Sequence, residues 1–240
     1  MRRGALLTYA YDVAIILGTI TIGQAPRPDI APIIDAHVPS GTTQKHVGVL
    51  DGMNAAQIAG RYAPRPRERR LITRLLDGSS VELDAAAVET GVQQKLHALE
   101  DAGCAVILVL CTGVFRGLRT RRAWLIEPDR ILPGLVAGLA GARRVGVVMP
   151  LTLPIDGERR KWSALQIPPT FAVASPYAAG EDPVATAARD VQRAGANLVI
   201  LDCFGFTAQH RDAAAQASGL PVLLSSELMA RVTGACLHGG

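Results

Sequence analysis

Four short apolar runs, separated by stretches of helical periodicity, set the tightest limit on what this chain can form. They are residues 13–22 (VAIILGTITI), 105–111 (AVILVLC), 145–149 (VGVVM) and 197–203 (NLVILDC). Each is short, rich in β-branched side chains and bounded by Gly, Pro or polar turns, the pattern of a strand buried on both faces. Between them, residues 89–102 (ETGVQQKLHALEDA) and 184–194 (VATAARDVQRA) carry helical spacing. Strands alternating with helices in this way predict an α/β fold built on parallel sheets. Composition agrees, because 49% of residues are hydrophobic but only 4% aromatic, so Ala, Val, Leu and Ile must supply the core.

The runs also repeat. The segment QKLHALEDAG leads into AVILVLC, and ARDVQRAGA leads into NLVILDC, while VAIILGTI and VGVVMP open the two halves. Two pseudo-symmetric α/β/α domains follow from this, the first expected over residues 13–133 with 221–240 and the second over 134–220. Residues 42–84 enlarge the first half, and their Asp51-Gly52 and Asp77-Gly78 pairs predict an extra strand, a helix and a hairpin. After Cys203 come a further helix, the strand-like PVLLSS and a helical ending, ELMARVTGACL, expected to pack back on the first domain. The opening residues superficially resemble a signal peptide, but Asp12 interrupts the apolar stretch, and they read as a short tail into a buried strand of a cytoplasmic protein.

Several function classes find no support. The net charge of +4 is a small excess of 25 basic over 21 acidic residues. The basic clusters at 65–70 (RPRERR) and 116–122 (RGLRTRR) lack interleaved aromatics, so they read as solvated faces and not as a nucleic-acid surface. A small anionic or carbonyl substrate suits the charge better. No apolar run reaches the roughly 18 residues of a membrane span, and neither a dinucleotide-binding glycine motif nor a P-loop is present, so no cofactor is expected. The cysteines, Cys104, Cys111, Cys203 and Cys236, have no C-x-x-C spacing, and His37, His46, His97 and His238 have no ligand spacing. No metal site is expected, and the thiols read as reduced. Such a sequence is also compatible with a homo-oligomer.

The chemistry-bearing residues are Cys111 and Cys203, which end corresponding strands of the two halves. In an open parallel sheet, ligands bind beyond the carboxyl ends of the strands, and quasi-symmetric halves bring equivalent strand ends to one crevice. A single cysteine ending an apolar strand is ordinarily a packing residue, the reading given to Cys104 and Cys236. A matched pair is a candidate for catalysis. The residues that follow, Thr112-Gly113 and Phe204-Gly205, are expected to open helices whose amides lower the thiol pKa from about 8.5. Arg27, between two prolines, is either a bidentate clamp for a carboxylate or a surface arginine. Asp202 should point away from the Cys203 face and cap or brace, and His210 should face solvent.

A resemblance rests on TIGQAPRPD (21–29), GVLDGM (48–53), LITRLLDG (71–78), VLCTGVF (109–115), EPDRIL (127–132), VGVVMPL (145–151), Lys161-Trp162, LDCFGF (201–206) and PVLLS (221–225). Together these segments resemble the AroM family, within the wider aspartate/glutamate racemase superfamily. The resemblance implies a site between two α/β domains in which one thiolate removes an α-proton and the opposite thiol returns one. The developing enolate would need donors, with Thr112, Gly113, Phe204 and Gly205 as candidates, and Gln24, Arg27, Ser225 and Ser226 completing the rim. Amino-acid racemases of the superfamily follow the first cysteine with Asn-Thr and the second with Thr-His. Thr112-Gly113 and Phe204-Gly205 stand there instead, so the groups that hold a free amino acid are largely missing. Two function classes follow: a racemase, epimerase or related isomerase, with decarboxylation within the same chemistry, or a non-catalytic carboxylate-binding or regulatory protein.

Overall fold

The repeat seen in the sequence becomes a repeat of sheets. The computed structural model describes residues 15–66, 68–180 and 182–237, so the tail predicted at the N-terminus, as well as His238, lies outside it. In the first half β1 (Ile16–Thr21) pairs in parallel with β2 (Thr43–Gly48) and with β5 (Val106–Leu110), which pairs in parallel with β6 (Trp124–Ile126). In the second half β7 (Val145–Met149) pairs in parallel with β8 (Thr170–Val173) and β9 (Leu198–Leu201), and β9 with β10 (Val222–Leu224). The orders β2-β1-β5-β6 and β8-β7-β9-β10 correspond strand for strand. All residues of β5, β7 and β9 are buried, as expected of parallel strands covered on both faces.

The helix before each cysteine strand is built the same way. These are α3 (Ala85–Asp101), capped by the Asp84 carboxylate on the Ala87 N–H, and α6 (Asp182–Arg193). Both end in a glycine with positive φ, Gly103 at 86° and Gly195 at 89°. Cys104 N–H then closes on Leu99 O, and Ala196 N–H on Val191 O, each at 3.0 Å, the 6→1 bond of a glycine-terminated helix. Both helices also press on a strand glycine. A Cβ on Gly18 would lie 2.8 Å from Leu99 Cδ1, and one on Gly146 would lie 2.5 Å from Val191 Cγ2. The absent side chain is what lets each helix sit close enough to cover its sheet.

Of the predicted insertion, α2 (Ala55–Tyr62) and the antiparallel hairpin of β3 (Arg70–Arg74) and β4 (Ser80–Asp84) are additions, whereas the expected extra strand is β2, a full member of the first sheet and the counterpart of β8. Asn54 and Gln57 form a capping box on α2. Five further helices complete the layers: α1 (Ala31–Asp35), α4 (Pro128–Ala140), α5 (Ile155–Lys161), α7 (Ala208–Ser218) and α8 (Ser225–Leu237). The C-terminal segment divides. α8 packs against α1 and β5 of the first half and against α4, a single helix that the expected boundary at 133/134 would cut and whose Val136 and Ala140 pack on the second sheet. β10, also assigned to the first domain by the range 221–240, joins the second sheet beside β9. A three-residue strand following a helix and a turn carries no mark of which parallel edge it will extend.

Buried Glu100, near the end of α3, accepts the N–H groups of Arg121, Arg122 and Ala123 at 2.7, 2.7 and 3.0 Å and so fixes the loop into β6. Burial alone would raise its pKa, but those N–H groups and the Arg121 guanidinium outweigh it and hold the carboxyl down at about 2, from 4.5. A depressed folded-state pKa makes Glu100 stabilising above pH 4.5, a contribution lost as pH falls toward 2. Urea unfolding between pH 6 and 2 should therefore show a loss of stability that is smaller in Glu100→Gln. At neutral pH, Gly146→Ala and Gly18→Ala should each cost about 1–3 kcal/mol by overpacking. Gly138→Ala, with open space around its new Cβ in α4, should gain about 0.5–1 kcal/mol.

Candidate functional site

Because the central strands run parallel, their carboxyl ends open on one side, and there the two halves enclose a cavity of about 430 Å³. Its apolar lining includes Ile22, Leu71, Ile72, Leu110, Met149, Leu151, Leu153 and Phe204. Cys111 enters from the first sheet, one residue beyond β5, and Cys203 from the second, two residues beyond β9. Each thiol is 8% exposed, and neither forms a disulfide. They are held alike: Gly113 N–H donates to Cys111 Sγ and Gly205 N–H to Cys203 Sγ, both at 3.3 Å. A side chain at either position would displace a neighbour. A Cβ on Gly113 would meet the Leu71 side chain, and one on Gly205 would lie 2.6 Å from Tyr177 Oη.

The electrostatics overturn one expectation. No helix opens directly after either cysteine, since α4 begins only at Pro128 and α7 at Ala208. Burial is the largest influence on both thiols. It drives Cys111 up to about 12 against the opposing Gly113 N–H, and Cys203 up to about 11 against the Gly205 N–H and the charge of Arg27. The resting site is therefore a pair of neutral thiols and not thiolates. The amides of Gly113 and Gly205, expected to face a substrate, are aimed at sulfur.

Two cations flank the pair. Arg27, 7% exposed, follows a cis Ala25–Pro26 peptide and is gripped in bidentate fashion by Asp29, through Nε at 2.8 Å and Nη2 at 2.7 Å. Burial would lower its pKa, but the bonds and charges of Asp29 and Tyr177 carry it upward, so it stays a cation. Lys161 ends α5, and its Nζ donates to Thr112 O at 2.8 Å and to the Asp202 carboxylate. Thr112 Oγ1 donates to Asp202 O at 3.1 Å, so the loops after β5 and β9 are joined directly. Asp202 thus braces, but it does not point away from the Cys203 face: it lines the same cavity, because the chain has already left β9 at Leu201 and strand alternation no longer directs it.

The other expected rim residues are placed elsewhere. Gln24 is spent on structure: its amide nitrogen donates to Met53 O at 3.1 Å, and its oxygen accepts Leu76 N–H at 3.0 Å. Ser225 and Ser226 are fully buried and turned to backbone carbonyls, Ser225 Oγ to Leu201 O at 2.6 Å and Ser226 Oγ to Phe206 O at 3.5 Å. Neither serine nor Gln24 lines the cavity; Arg27, Thr112, Gly113, Phe204 and Gly205 do. His210 is partly buried, taking Thr207 N–H on Nδ1 at 3.0 Å in a capping box at the start of α7. Among the described residues no group of three or more His, Cys, Asp or Glu converges on a metal site.

Lys161, Glu158, Tyr177, Arg69 and Arg70 line the cavity without having been singled out as site residues. The two arginines correct the reading of RPRERR as a wholly solvated face. Arg69 reaches across to Val114 O at 2.8 Å, and Arg70 pairs with Glu82, because the first residues of the β3 hairpin turn that end of the cluster inward. Only a strand prediction placed at residue 70 would have separated them from Arg65.

The family model described as AroM protein matches residues 17–237. Among curated protein sequences none matches the chain. Among solved structures, an unliganded arylmalonate decarboxylase is 15% identical, with a TM-score of 0.59 over 94% of this chain and 93% of that one. A glutamate racemase isoform from Bacillus anthracis is 13% identical, with a TM-score of 0.62 over 93% and 82%. A maleate cis-trans isomerase from Nocardia farcinica, with a covalently bound succinylcysteine intermediate, is 16% identical, with a TM-score of 0.58 over 93% and 93%. These likenesses show the racemase and isomerase type of two-domain fold. With one family model running from β1 to α8 and both cysteine loops inside it, the chain belongs to the AroM family.

Proposed function

We propose that this chain is a cofactor-independent racemase, epimerase or related isomerase in which Cys111 and Cys203 move protons at a carbon next to a carboxylate or carbonyl. The observation that carries the reading is the matched seating of the two thiols. They come from different sheets, each takes an N–H from the residue two positions on, and both line one cavity. Arg27 is the candidate anchor for the substrate's carboxylate, its guanidinium already oriented by Asp29.

One thiol must first lose its proton to solvent water before, as the thiolate, it can take one from carbon. Arg27 and Lys161 both favour the thiolate of Cys203, and Lys161 favours that of Cys111. The second thiol, neutral because of its burial, then delivers a proton to the other face of the carbanion. The same neutral thiol suits a decarboxylase, where carbon dioxide leaves and only proton delivery is required. The names of the structural neighbours cover racemisation, isomerisation and decarboxylation, which supports the class of chemistry and leaves its subtype to experiment.

A carboxylate-binding protein without turnover is the second reading, favoured by the raised thiol pKa values. Incubation of a panel of α-substituted carboxylates, hydantoins and related carbon acids in D₂O, followed by NMR, separates the two. An enzyme should place deuterium at the acidic carbon. Cys111→Ser or Cys203→Ser should then cut interconversion at least about a hundredfold, since a serine hydroxyl is too weak an acid to replace either thiol. Exchange no faster than background across the panel, with binding kept to within about tenfold in both Ser variants, would establish the binding reading instead. Cys104→Ala and Cys236→Ala should cost on the order of 1 kcal/mol in thermal or urea unfolding and leave exchange unchanged. Loss of exchange in a folded Cys104 or Cys236 variant would show that the wrong thiols had been assigned.

A further inference from the structure

We propose that Lys161 is the positioning cation of the two-cysteine site, pinning the two cysteine-bearing loops together and serving Cys111 ahead of Cys203. The inference deepens the two-thiol reading and rests on it.

The geometry is a three-bond clasp between the sheets. Lys161 Nζ binds the carbonyl of Thr112, the residue after Cys111, and the carboxylate of Asp202, the residue before Cys203. Thr112 Oγ1 closes the clasp on the Asp202 carbonyl. The Lys161 and Asp202 side chains are 4% and 2% exposed. A brace alone does not need this arrangement, because well-packed apolar side chains of similar volume hold two segments as well as a buried ion pair, without its desolvation cost. Here the cost is not even fully offset, since Asp202 Oδ1 is buried with no hydrogen-bond partner. A charge kept under those conditions, on the wall of a cavity holding two thiols, points to an electrostatic role.

The charges around it make that role unequal. Lys161 faces Asp202, Glu158 and Cys111. Cys111 faces Cys203, Lys161 and Asp129. Cys203 faces Arg27, Asp202, Lys161 and Tyr177. At Cys203 the Asp202 charge opposes Lys161 and outweighs it, and Arg27 supplies the main positive field. At Cys111, Lys161 is the foremost favourable charge. Each thiol therefore has its own cation, Arg27 for Cys203 and Lys161 for Cys111.

The test is the pH dependence of iodoacetamide alkylation, resolved cysteine by cysteine through peptide mass spectrometry, in the full chain. The variants are Lys161→Arg and the double change Lys161→Met with Asp202→Asn, which removes both charges without stranding either. Below its midpoint, Cys111 in the double variant should alkylate at least about tenfold more slowly than in the native protein, one pKa unit, while Cys203 changes by less than about threefold. Lys161→Arg should keep both rates within about threefold. Unchanged rates, or an equal fall at both cysteines, in a variant with native near-ultraviolet circular dichroism would overturn the proposal and leave only a brace. If the double variant does not fold, Lys161→Gln with Asp202→Asn, which retains a donor for Thr112 O and also strands no charge, is read by the same criteria. Alkylation needs no turnover, so the two ideas fail separately. A Cys111-selective effect without isotope exchange in the native protein sinks the enzymatic reading alone; exchange without that effect sinks the role of Lys161 alone.

Discussion

A parallel strand covered on both faces has nowhere along its length to hold a polar side chain cheaply, and the rest of this molecule is organised by that constraint. In β5, β7 and β9 every residue is buried. Polar and reactive groups therefore gather where the strands stop, in the loops beyond their carboxyl ends. Cys111 and Cys203 lie there, and so do Thr112 and Asp202, whose mutual hydrogen bond joins the two halves at the place where chemistry is possible. The two strand glycines and the two glycine-terminated helices serve the same end, because they let α3 and α6 cover the sheets closely.

The two thiols are buried beside paired charges. Each cation beside the thiols is already held by a carboxylate, Arg27 by Asp29 and Lys161 by Asp202. Such pairing fixes direction at the expense of net field, so the thiols feel oriented charges and still remain protonated. Burial is what raises them, and the Gly113 and Gly205 amides offset only part of it. In such an environment the neutral form is the resting form of both thiols.

The halves are alike in scaffold and unlike in decoration. The β3–β4 hairpin belongs to the first half alone, yet Arg69 and Arg70 bring it to the cavity, and Arg70 also reaches Thr152 O, at 3.4 Å, in the loop before α5. Phe204 crosses in the other direction, lining the cavity while it packs with Leu110, Ile34 and Met229 of the first half. These crossings make the two walls of the site unequal although the sheets behind them correspond.

Much of this was legible in the chain. Apolar runs of β-branched residues between helical patterns determine parallel sheets, since only strands buried on both faces tolerate such composition, and the recurrence of helix, strand and cysteine determines that there are two of them. The DG turns likewise carry local instructions. What the tertiary structure decided is everything that depends on which segments meet. Lys161 lies 41 residues from Asp202 and 49 from Thr112, and no spacing rule connects them. Gln24, Ser225 and Ser226 have side chains suited to a ligand but are consumed by neighbouring backbone groups. The thiols follow the same logic: a cysteine's position at a strand end is written in sequence, but its pKa is set by how much water the folded chain leaves beside the sulfur, and that is a property of packing in three dimensions.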